Sequence, residues 1–202
     1  MRPPRTVKPR RPTIDSSLDA RLPPGQHRAR RWPVLQYGAI PKVDIATWEL
    51  RIFGAVETPL TLTWSQFEAL PRSDVVADMH CVTRWSLLDM RWSGVPFAEV
   101  ARLVVPTTAA THVLLHGLGG YTANVPLSAM LATDVLLATH ANGDRLSPEH
   151  GFPVRAVIPN RYAWKSVKWL CGIEFLIADR PGFWERHGYS HGADPWREER
   201  FA

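Results

Sequence analysis

Residues 78–86 read Asp-Met-His-Cys-Val-Thr-Arg-Trp-Ser, and this stretch decides how the rest of the chain is interpreted. It places Cys81 between a histidine and an arginine. A cysteine thiolate is both a nucleophile and a strong ligand for soft metals. Three alternatives therefore stand for Cys81: a catalytic nucleophile, a metal ligand, or an inert buried cysteine. His80 and Arg84 favour the first two, because nearby positive charge stabilises a thiolate.

The segments around Cys81 predict short strands mixed with short helices. Residues 48–53 show the period-two hydrophobic pattern of a strand. Thr63-Trp64-Ser65-Gln66 has the form of a helix capping box. Residues 74–79 predict a strand that ends at the cysteine stretch. A second helix is expected after Pro96, where apolar residues recur at helical spacing.

The second half of the chain continues the same texture. Strands are predicted at 111–117, 154–158 and 167–177, and Asn142-Gly143 predicts a hairpin. Strands and helices do not alternate regularly, so we predict an α+β domain with a mixed sheet instead of a doubly wound fold. After Pro181 the chain is rich in aromatic residues, which we expect to pack across the body because they seldom stay in water together.

Charge is concentrated at the start of the chain. Residues 1–31 hold nine basic and two acidic residues, a balance of +7, which leaves −2 of the total +5 for residues 32–202. We expect residues 1–31 to be a poorly ordered Pro/Arg-rich leader and residues 32–202 to form a single domain. Because the body is not basic, nucleic-acid binding is not expected, except through this leader.

The compartment prediction rests on cysteines and hydropathy. Two cysteines in 202 residues do not make a secreted disulfide scaffold. No apolar run is long enough to cross a bilayer, and no apolar segment follows the basic N-terminus as in a secretory signal. We therefore expect a cytoplasmic protein without a membrane partner.

A second chemical feature lies at 150–155 and 164–169. Arg155 offers a planar guanidinium for an oxyanion, and Lys165, Ser166 and Lys168 add two ammonium groups and a hydroxyl. A turn at this point can also present backbone amides to a phosphate. The alternative is a strand with a solvated basic edge. The surrounding apolar and aromatic residues favour a phosphate at the end of a largely buried ligand.

These residues carry a family resemblance. His150-Gly-Phe-Pro-Val-Arg155 and Ser166-Val-Lys-Trp-Leu170 resemble the molybdopterin-binding signatures of the sulfite oxidase family, and residues 80–86 resemble its metal-cysteine segment. Similar text is found at 121–127 and at Asn142-Gly143, so the resemblance covers about residues 32–177. It implies the fold of the sulfite oxidase molybdopterin-binding type.

The resemblance also implies residue roles. Cys81 would be the thiolate ligand of molybdenum, with Arg84 beside it as a catalytic residue. His150 and Arg155 would contact the pterin and its phosphate, and residues 166–168 would hold the phosphate end. Further positions follow from the N-terminal strand, the cysteine stretch and the turn at 165. The full set of expected cofactor-binding residues is Tyr37, His80, His116, His150, Arg155, Lys165, Ser166, Val167 and Lys168.

The function implied is a molybdopterin-dependent oxidoreductase that transfers an oxygen atom to or from a small oxo substrate, with molybdenum–molybdopterin as cofactor. Only Arg84 lies close to Cys81 in sequence, so sulfite-like and sulfoxide-like substrates both stay open. The expected partners are that small molecule and an electron donor or acceptor protein. Two alternatives from other classes are a non-catalytic module that binds a pterin or phosphate ligand and a Cys-His hydrolase.

Overall fold

The computed structural model describes residues 20–202, and residues 1–19 of the basic leader lie outside the described residues. The described chain forms two β-sheets with three short α-helices against them. In chain order the strands are β1 (His27–Arg28), β2 (Glu49–Gly54), β3 (Leu60–Thr63), β4 (Ser73–His80), β5 (Trp85–Pro96), β6 (His112–Gly117), β7 (Thr122–Pro126), β8 (Leu136–Ala141), β9 (Asp144–Arg145), β10 (Arg155–Val157) and β11 (Leu170–Leu176). The helices are α1 (Trp64–Glu68), α2 (Phe97–Val104) and α3 (Leu127–Met130), with 3₁₀ turns at Pro148–His150, Ala163–Lys165 and Glu185–His187.

The first sheet is built around β5, its longest strand. Its order is β1-β5-β8-β10, with β4 also paired to β5 and β9 paired to β8. β1 runs parallel to β5, and the other pairs are antiparallel. Gly94 lets β8 approach closely, because a Cβ there would lie 2.2 Å from the Leu137 carbonyl oxygen. This sheet carries Cys81 just beyond the end of β4 and Arg155 at the start of β10.

The second sheet has the order β3-β2-β11-β6-β7. β2 and β11 are parallel, with Ile52 opposite Ile173, and the other neighbours are antiparallel. Both sheets are therefore mixed, as the sequence predicts for an α+β domain.

Two apolar clusters hold the sheets together. The larger one joins the buried face of the second sheet to α2 and the end of β5, with Leu50, Leu115 and Phe97 fully buried. The smaller one surrounds Cys81 and includes Trp85 and Trp92 of β5. Burial of such side chains is worth about 2 kcal/mol each, so the site rests on packed core.

Several local predictions are confirmed. Thr63 and Gln66 form the predicted capping box at the start of α1. The Asn142-Gly143 turn has positive φ at both residues, 53° and 92°, and joins β8 to β9 as a hairpin. The strand predicted from residue 167 begins only at Leu170, because Trp169 has φ 54° and residues 163–165 form a 3₁₀ turn.

Residues 20–31, assigned above to a poorly ordered leader, are attached to the body in the structure. β1 pairs with β5, and Arg21 forms salt bridges with Asp78 and Asp89 at 2.6 and 2.8 Å. Gln26 donates from its side chain to the Cys81 carbonyl at 3.0 Å. The ordered body thus begins before residue 32, because backbone pairing supplies an order that composition does not predict.

The aromatic C-terminal segment packs on the body in part, because Trp196 and Phe201 are 52% and 66% exposed, contrary to the expectation for them. Phe183 lies 4.5 Å from the Tyr37 ring, and Trp184 and Tyr189 contact each other at 4.9 Å. Within residues 20–202, every helix is too short or too polar to traverse a lipid bilayer.

Candidate active site

A cavity of about 560 Å³ opens between the cysteine stretch, the segment after Trp32 and the turn that precedes β11. Its lining includes Cys81 on one wall and His150, Arg155, Ser166 and Lys168 on another. The cysteine stretch and the basic residues at 150–168 are far apart in sequence, and they line the same cavity.

Cys81 lies in a tight turn between β4 and β5. We call residues 81–85 the cysteine turn. Its backbone N–H donates to the Trp85 carbonyl at 2.9 Å, and the Arg84 N–H donates to the Cys81 carbonyl at 3.0 Å. Arg84 has φ 73°, which closes the turn. The Cys81 side chain is 8% exposed, and its Sγ lies 3.2 Å from the Thr83 hydroxyl. The sulfur is thus held in place at the cavity wall with a hydroxyl as its polar neighbour.

The two predicted neighbours of the thiolate are placed elsewhere. The His80 ring is buried away from the cavity, with Nδ1 2.8 Å from the Ser86 hydroxyl, and burial lowers its pKa. Arg84 is exposed and does not line the cavity. Within the described residues neither side chain forms a hydrogen bond with the Cys81 sulfur, whose polar partner is Thr83. A Cys-His nucleophile pair, as a hydrolase would need, is therefore not formed by His80.

Arg155 is a buried cation whose hydrogen bonds all go to the backbone. Its guanidinium donates to the carbonyls of His150 and Ser166 at 3.1 and 3.2 Å. The charge also lies over the rings of Trp32 and Trp92, at 5.4 and 5.6 Å. Burial lowers the pKa of Arg155 to about 9. No carboxylate forms a salt bridge with it in the part of the chain that the structure describes.

Lys168 stands beside Arg155. Its Nζ donates to the carbonyls of Leu35 and Glu149 at 2.9 and 2.8 Å. Burial, together with repulsion from Arg155, lowers the pKa of Lys168 to about 8. Two cations close together and largely desolvated cost free energy unless an anion joins them. The pair therefore forms a site for an anionic ligand.

His150 lies beside Arg155 and Lys168, and we call these three residues the basic wall. Its ring is a flat, uncharged surface. It stacks on Trp32 with the ring centroids 3.7 Å apart and the planes at 7°. Burial, with repulsion from Arg155 and Lys168, lowers the pKa of His150 to about 4. Gly151, at φ 110°, lets this wall close, because a Cβ there would lie 3.1 Å from the Cβ atoms of Arg155 and Lys168.

Of the other expected cofactor-binding residues, some line the cavity and some do not. Tyr37 and Ser166 line the cavity. Lys165 does not, because its fully buried ammonium forms a salt bridge with Glu185 at 2.6 Å. Val167 points into the larger apolar cluster, and its N–H is bonded to the Lys165 carbonyl. His116 lies on the second sheet with Nε2 3.0 Å from Glu174, and it does not line the cavity.

Eight aromatic side chains of the described residues line the cavity, and Tyr37 is the one of them that the sequence analysis named as a site residue. The nine tryptophans of the sequence suit a large flat ligand, but their number does not tell which indoles face it. Tyr121, whose hydroxyl donates to the Trp164 carbonyl at 2.7 Å, also lines the cavity. The aromatic lining residues are Trp32, Tyr37, Trp85, Tyr121, Trp164, Trp169, Trp184 and Tyr189.

The fold and cavity together define a domain with a site suited to a large, flat, anionic ligand beside a cysteine. The oxidoreductase molybdopterin-binding domain family matches residues 37–184. The chain belongs to this family, in its sulfite oxidase-like group, and it is an oxidoreductase with molybdenum–molybdopterin as cofactor.

Individual relatives place the chain within the family. The uncharacterized oxidoreductase YuiH of Bacillus subtilis (strain 168) is 44% identical over 190 residues, which cover 94% of this chain and 96% of that protein. A sulfite oxidase of Arabidopsis thaliana is 30% identical over 76% of this chain, which spans 48% of that protein's length. The crystal structure of the sulfane dehydrogenase SoxCD from Paracoccus pantotrophus shares the fold, with a TM-score of 0.65 at 18% identity, covering 93% of this chain and 58% of that one.

The cavity fits such a cofactor by its donor set. Arg155 is buried and Lys168 is half-buried, and a phosphate can neutralise both charges. The stacked His150 and Trp32 offer a flat surface for a ring system. Cys81 offers a soft donor for a metal. These three features match the phosphate, the pterin and the metal in chemical character.

Proposed function

We propose that this protein catalyses oxygen-atom transfer on a small oxo substrate, with the Cys81 thiolate as a ligand of molybdenum. The observation that carries the proposal is that one cavity joins Cys81 to Arg155 and Lys168, two cations that form no salt bridge among the described residues. When bound, the cofactor supplies a metal that exchanges an oxo group while it changes oxidation state by two electrons.

The chain prepares Cys81 to act as a ligand. The turn at 81–85 fixes the sulfur at the cavity wall, and the Thr83 hydroxyl at 3.2 Å can donate to the thiolate. A ligand thiol must lose its proton, so this donor favours the metal-binding form. Gln26 adds a bond to the Cys81 carbonyl, which fixes the turn from the N-terminal side.

The basic wall holds the opposite end of the cofactor. Arg155 keeps its guanidinium in one orientation through two backbone carbonyls, so a phosphate oxygen meets a fixed donor. Lys168 contributes a second positive charge, a compact ammonium on a flexible side chain. The neutral His150 adds a stacking surface without a further charge.

The substrate class stays open between sulfite-like and sulfoxide-like molecules at this level. Relatives include sulfite oxidases, nitrate reductases and a putative protein-methionine-sulfoxide reductase subunit of Azospira oryzae, which is 28% identical over 75% of this chain. Each of these names describes the oxidation or reduction of a compound that carries an oxo group. We propose that a separate protein donates or accepts the electrons.

The direct test is to replace Cys81 and count molybdenum and its sulfur ligands. Protein produced in a host that makes the cofactor should carry stoichiometric molybdenum. In Cys81→Ser and Cys81→Ala, X-ray absorption at the molybdenum edge should show one sulfur ligand fewer, and turnover should be lost. Cys171→Ala is the matched control, because that thiol lies on β11, bonded to the His116 carbonyl and outside the cavity lining. An unchanged sulfur count in Cys81→Ala would disprove the ligand role.

A further inference from the structure

We infer that the substrate is a neutral oxide carrying an apolar or aromatic group, such as an aryl sulfoxide, and not an oxyanion such as sulfite. This inference rests on the proposed function and adds the class of substrate. It is argued from the charges and the aromatic residues on the wall that surrounds Cys81.

Within residues 20–202, the cations that line the cavity lie on the basic wall. Among the described residues, Arg155 and Lys168 are the charged side chains of the lining, with His150 kept neutral by burial and by these two charges. Both are bonded to backbone carbonyls of residues 35, 149, 150 and 166, none of which belongs to the cysteine turn. A phosphate at this wall uses both charges.

Arg84 and Arg200 belong to or contact the cysteine turn, but neither is placed to bind an oxyanion beside Cys81. Arg84 is exposed and outside the lining. Arg200 is 7% exposed, but its guanidinium donates to the carbonyls of Val82 and Pro24 at 2.7 and 3.3 Å and lies 5.0 Å from the Tyr162 ring centre. An oxyanion beside the sulfur would therefore be desolvated without a cationic partner from residues 20–202, which is costly. A neutral oxide does not meet that cost.

The wall next to the cysteine turn is aromatic. Val82 packs against a small cluster that contains Trp164, and Trp184 and Tyr189 pack against the same cluster. Trp164, Trp184 and Tyr189 also line the cavity, and we call these three residues the aromatic wall. Tyr189 lies edge-on to Trp164 at 5.2 Å and tilted to Trp184 at 4.9 Å. Such faces attract aromatic and aliphatic groups at distances of about 5 Å.

The aromatic wall is also held rigid. The Trp164 indole N–H donates to Glu185 at 2.9 Å, and the Tyr121 hydroxyl donates to the Trp164 carbonyl. A preorganised apolar surface loses little entropy on binding, so it can select substrates by the size of their apolar group.

The reaction we infer is the two-electron reduction of a sulfoxide. The sulfur–oxygen bond breaks, the sulfur becomes a thioether, and the oxygen takes up two protons and leaves as water. Two electrons come from a one-electron donor of low potential, which acts twice. Reduced benzyl viologen serves as this donor in the assay.

The experiment compares three substrates with the molybdenum-loaded enzyme. Methyl p-tolyl sulfoxide and dimethyl sulfoxide are reduced with benzyl viologen, and sulfite is oxidised with ferricyanide. We expect kcat/KM for the aryl sulfoxide to exceed that for dimethyl sulfoxide by about ten-fold, since an aromatic contact contributes about one such factor. Sulfite should be lower by about 100-fold or more, because its charge lacks a partner.

Variants of the aromatic wall locate the selectivity. Trp184→Leu should raise KM for the aryl sulfoxide about ten-fold and change dimethyl sulfoxide little. Tyr189→Leu should act in the same direction, so the test survives if one variant fails to fold. Trp196→Leu is the matched control, because Trp196 is 52% exposed and outside the cavity lining. Quenching of tryptophan fluorescence by the aryl sulfoxide should weaken in Trp184→Leu in parallel with KM.

Three results would overturn the inference. They are a higher kcat/KM for sulfite than for either sulfoxide, an equal effect of Trp184→Leu on both sulfoxides, and no turnover of either sulfoxide by enzyme that contains molybdenum. Failure of the proposed function is distinguishable, since it would appear as a sulfur count at molybdenum that does not depend on Cys81.

Discussion

Replacing Glu185 by glutamine would test the buried ion pair that ties the C-terminal segment to the cavity wall. Lys165 Nζ lies 2.6 Å from Glu185 Oε1, and both side chains are fully buried. Lys165 also donates to the backbone and side-chain oxygens of Asn124 at 2.7 and 2.9 Å. Burial lowers the pKa of Lys165, and Glu185 opposes that shift. In Glu185→Gln the ammonium would lose the charge that keeps it protonated.

The magnitude follows from the contacts that stay. Removing one partner of a buried pair costs about 3–5 kcal/mol. Glutamine still accepts the Trp164 indole N–H, and Lys165 keeps two acceptors on Asn124. We therefore expect the lower end, about 3 kcal/mol, which lowers the melting temperature by about 6–12 °C for a chain of this size.

The assay is urea unfolding of cofactor-free protein, followed by tryptophan fluorescence, for a double-mutant cycle. Lys165→Met combined with Glu185→Gln removes both charges, so its cost should fall below the sum of the single costs by about 2 kcal/mol. Glu99→Gln is the control, because the Glu99–Arg102 pair is solvent-exposed and should cost under about 0.5 kcal/mol. A loss below about 1 kcal/mol in Glu185→Gln, or additive costs in the cycle, would refute the reasoning.

Three further predictions concern the site. Arg155→Met should lower the molybdenum content of purified enzyme about ten-fold or more, while the cofactor-free protein unfolds at an unchanged or higher urea concentration, since an unpaired buried charge is removed; molybdenum retention at the wild-type level would contradict the phosphate role. His150 has a folded pKa near 4 against an ordinary value of 6.5, so the unfolded chain binds one more proton between these values and stability falls as pH drops through this window. His150→Phe keeps a ring on Trp32 and should make that fall shallower in urea titrations at pH 4.5 to 6.5, and an unchanged pH slope would show that His150 does not titrate as stated. Arg200→Met removes the bond to the Val82 carbonyl, so cofactor-free protein should lose about 1–2 kcal/mol and its Cys81 should react faster with a maleimide; equal reaction rates would show that Arg200 does not restrain the turn.

Sequence reasoning placed the site better at some residues than at others. Cys81, His150, Arg155, Ser166 and Lys168 were chosen from two distant stretches, and the structure brings them to one cavity. The resemblance made this possible, because spacing alone cannot bring distant stretches together.

Some of the expected site residues that lie outside the cavity lining are sequence neighbours of residues that line it. Lys165 and Lys168 look alike in sequence, but the 3₁₀ turn at 163–165 directs one ammonium to Glu185 and leaves the other at the cavity. His80 and Cys81 likewise leave the end of β4 in different directions, so only the cysteine reaches the cavity. Which of two adjacent side chains faces a ligand depends on local backbone angles that composition does not fix.

β5, the central strand of the first sheet, is among the strands that the sequence analysis does not predict. β5 contains Asp89 at φ 58°, Gly94 and Pro96, and these residues favour turns over strands. Pairing with β4 on one side and β8 on the other imposes the extended form. Tertiary context overrides weak local preference here, whereas β2 and α1 were predictable because pattern and context agree.

The cysteine turn is clasped from both ends of the polypeptide. Gln26 holds the Cys81 carbonyl from 55 positions upstream, Arg200 holds the Val82 carbonyl from 118 positions downstream, and Arg200 also touches the Pro24 carbonyl. A pair of dyes attached near residues 24 and 200 would therefore report, through energy transfer, any separation of the two segments that hold the cysteine turn. Fusion partners placed beyond either position would pull on the same clasp, so where a tag is attached becomes a variable in every measurement of this enzyme.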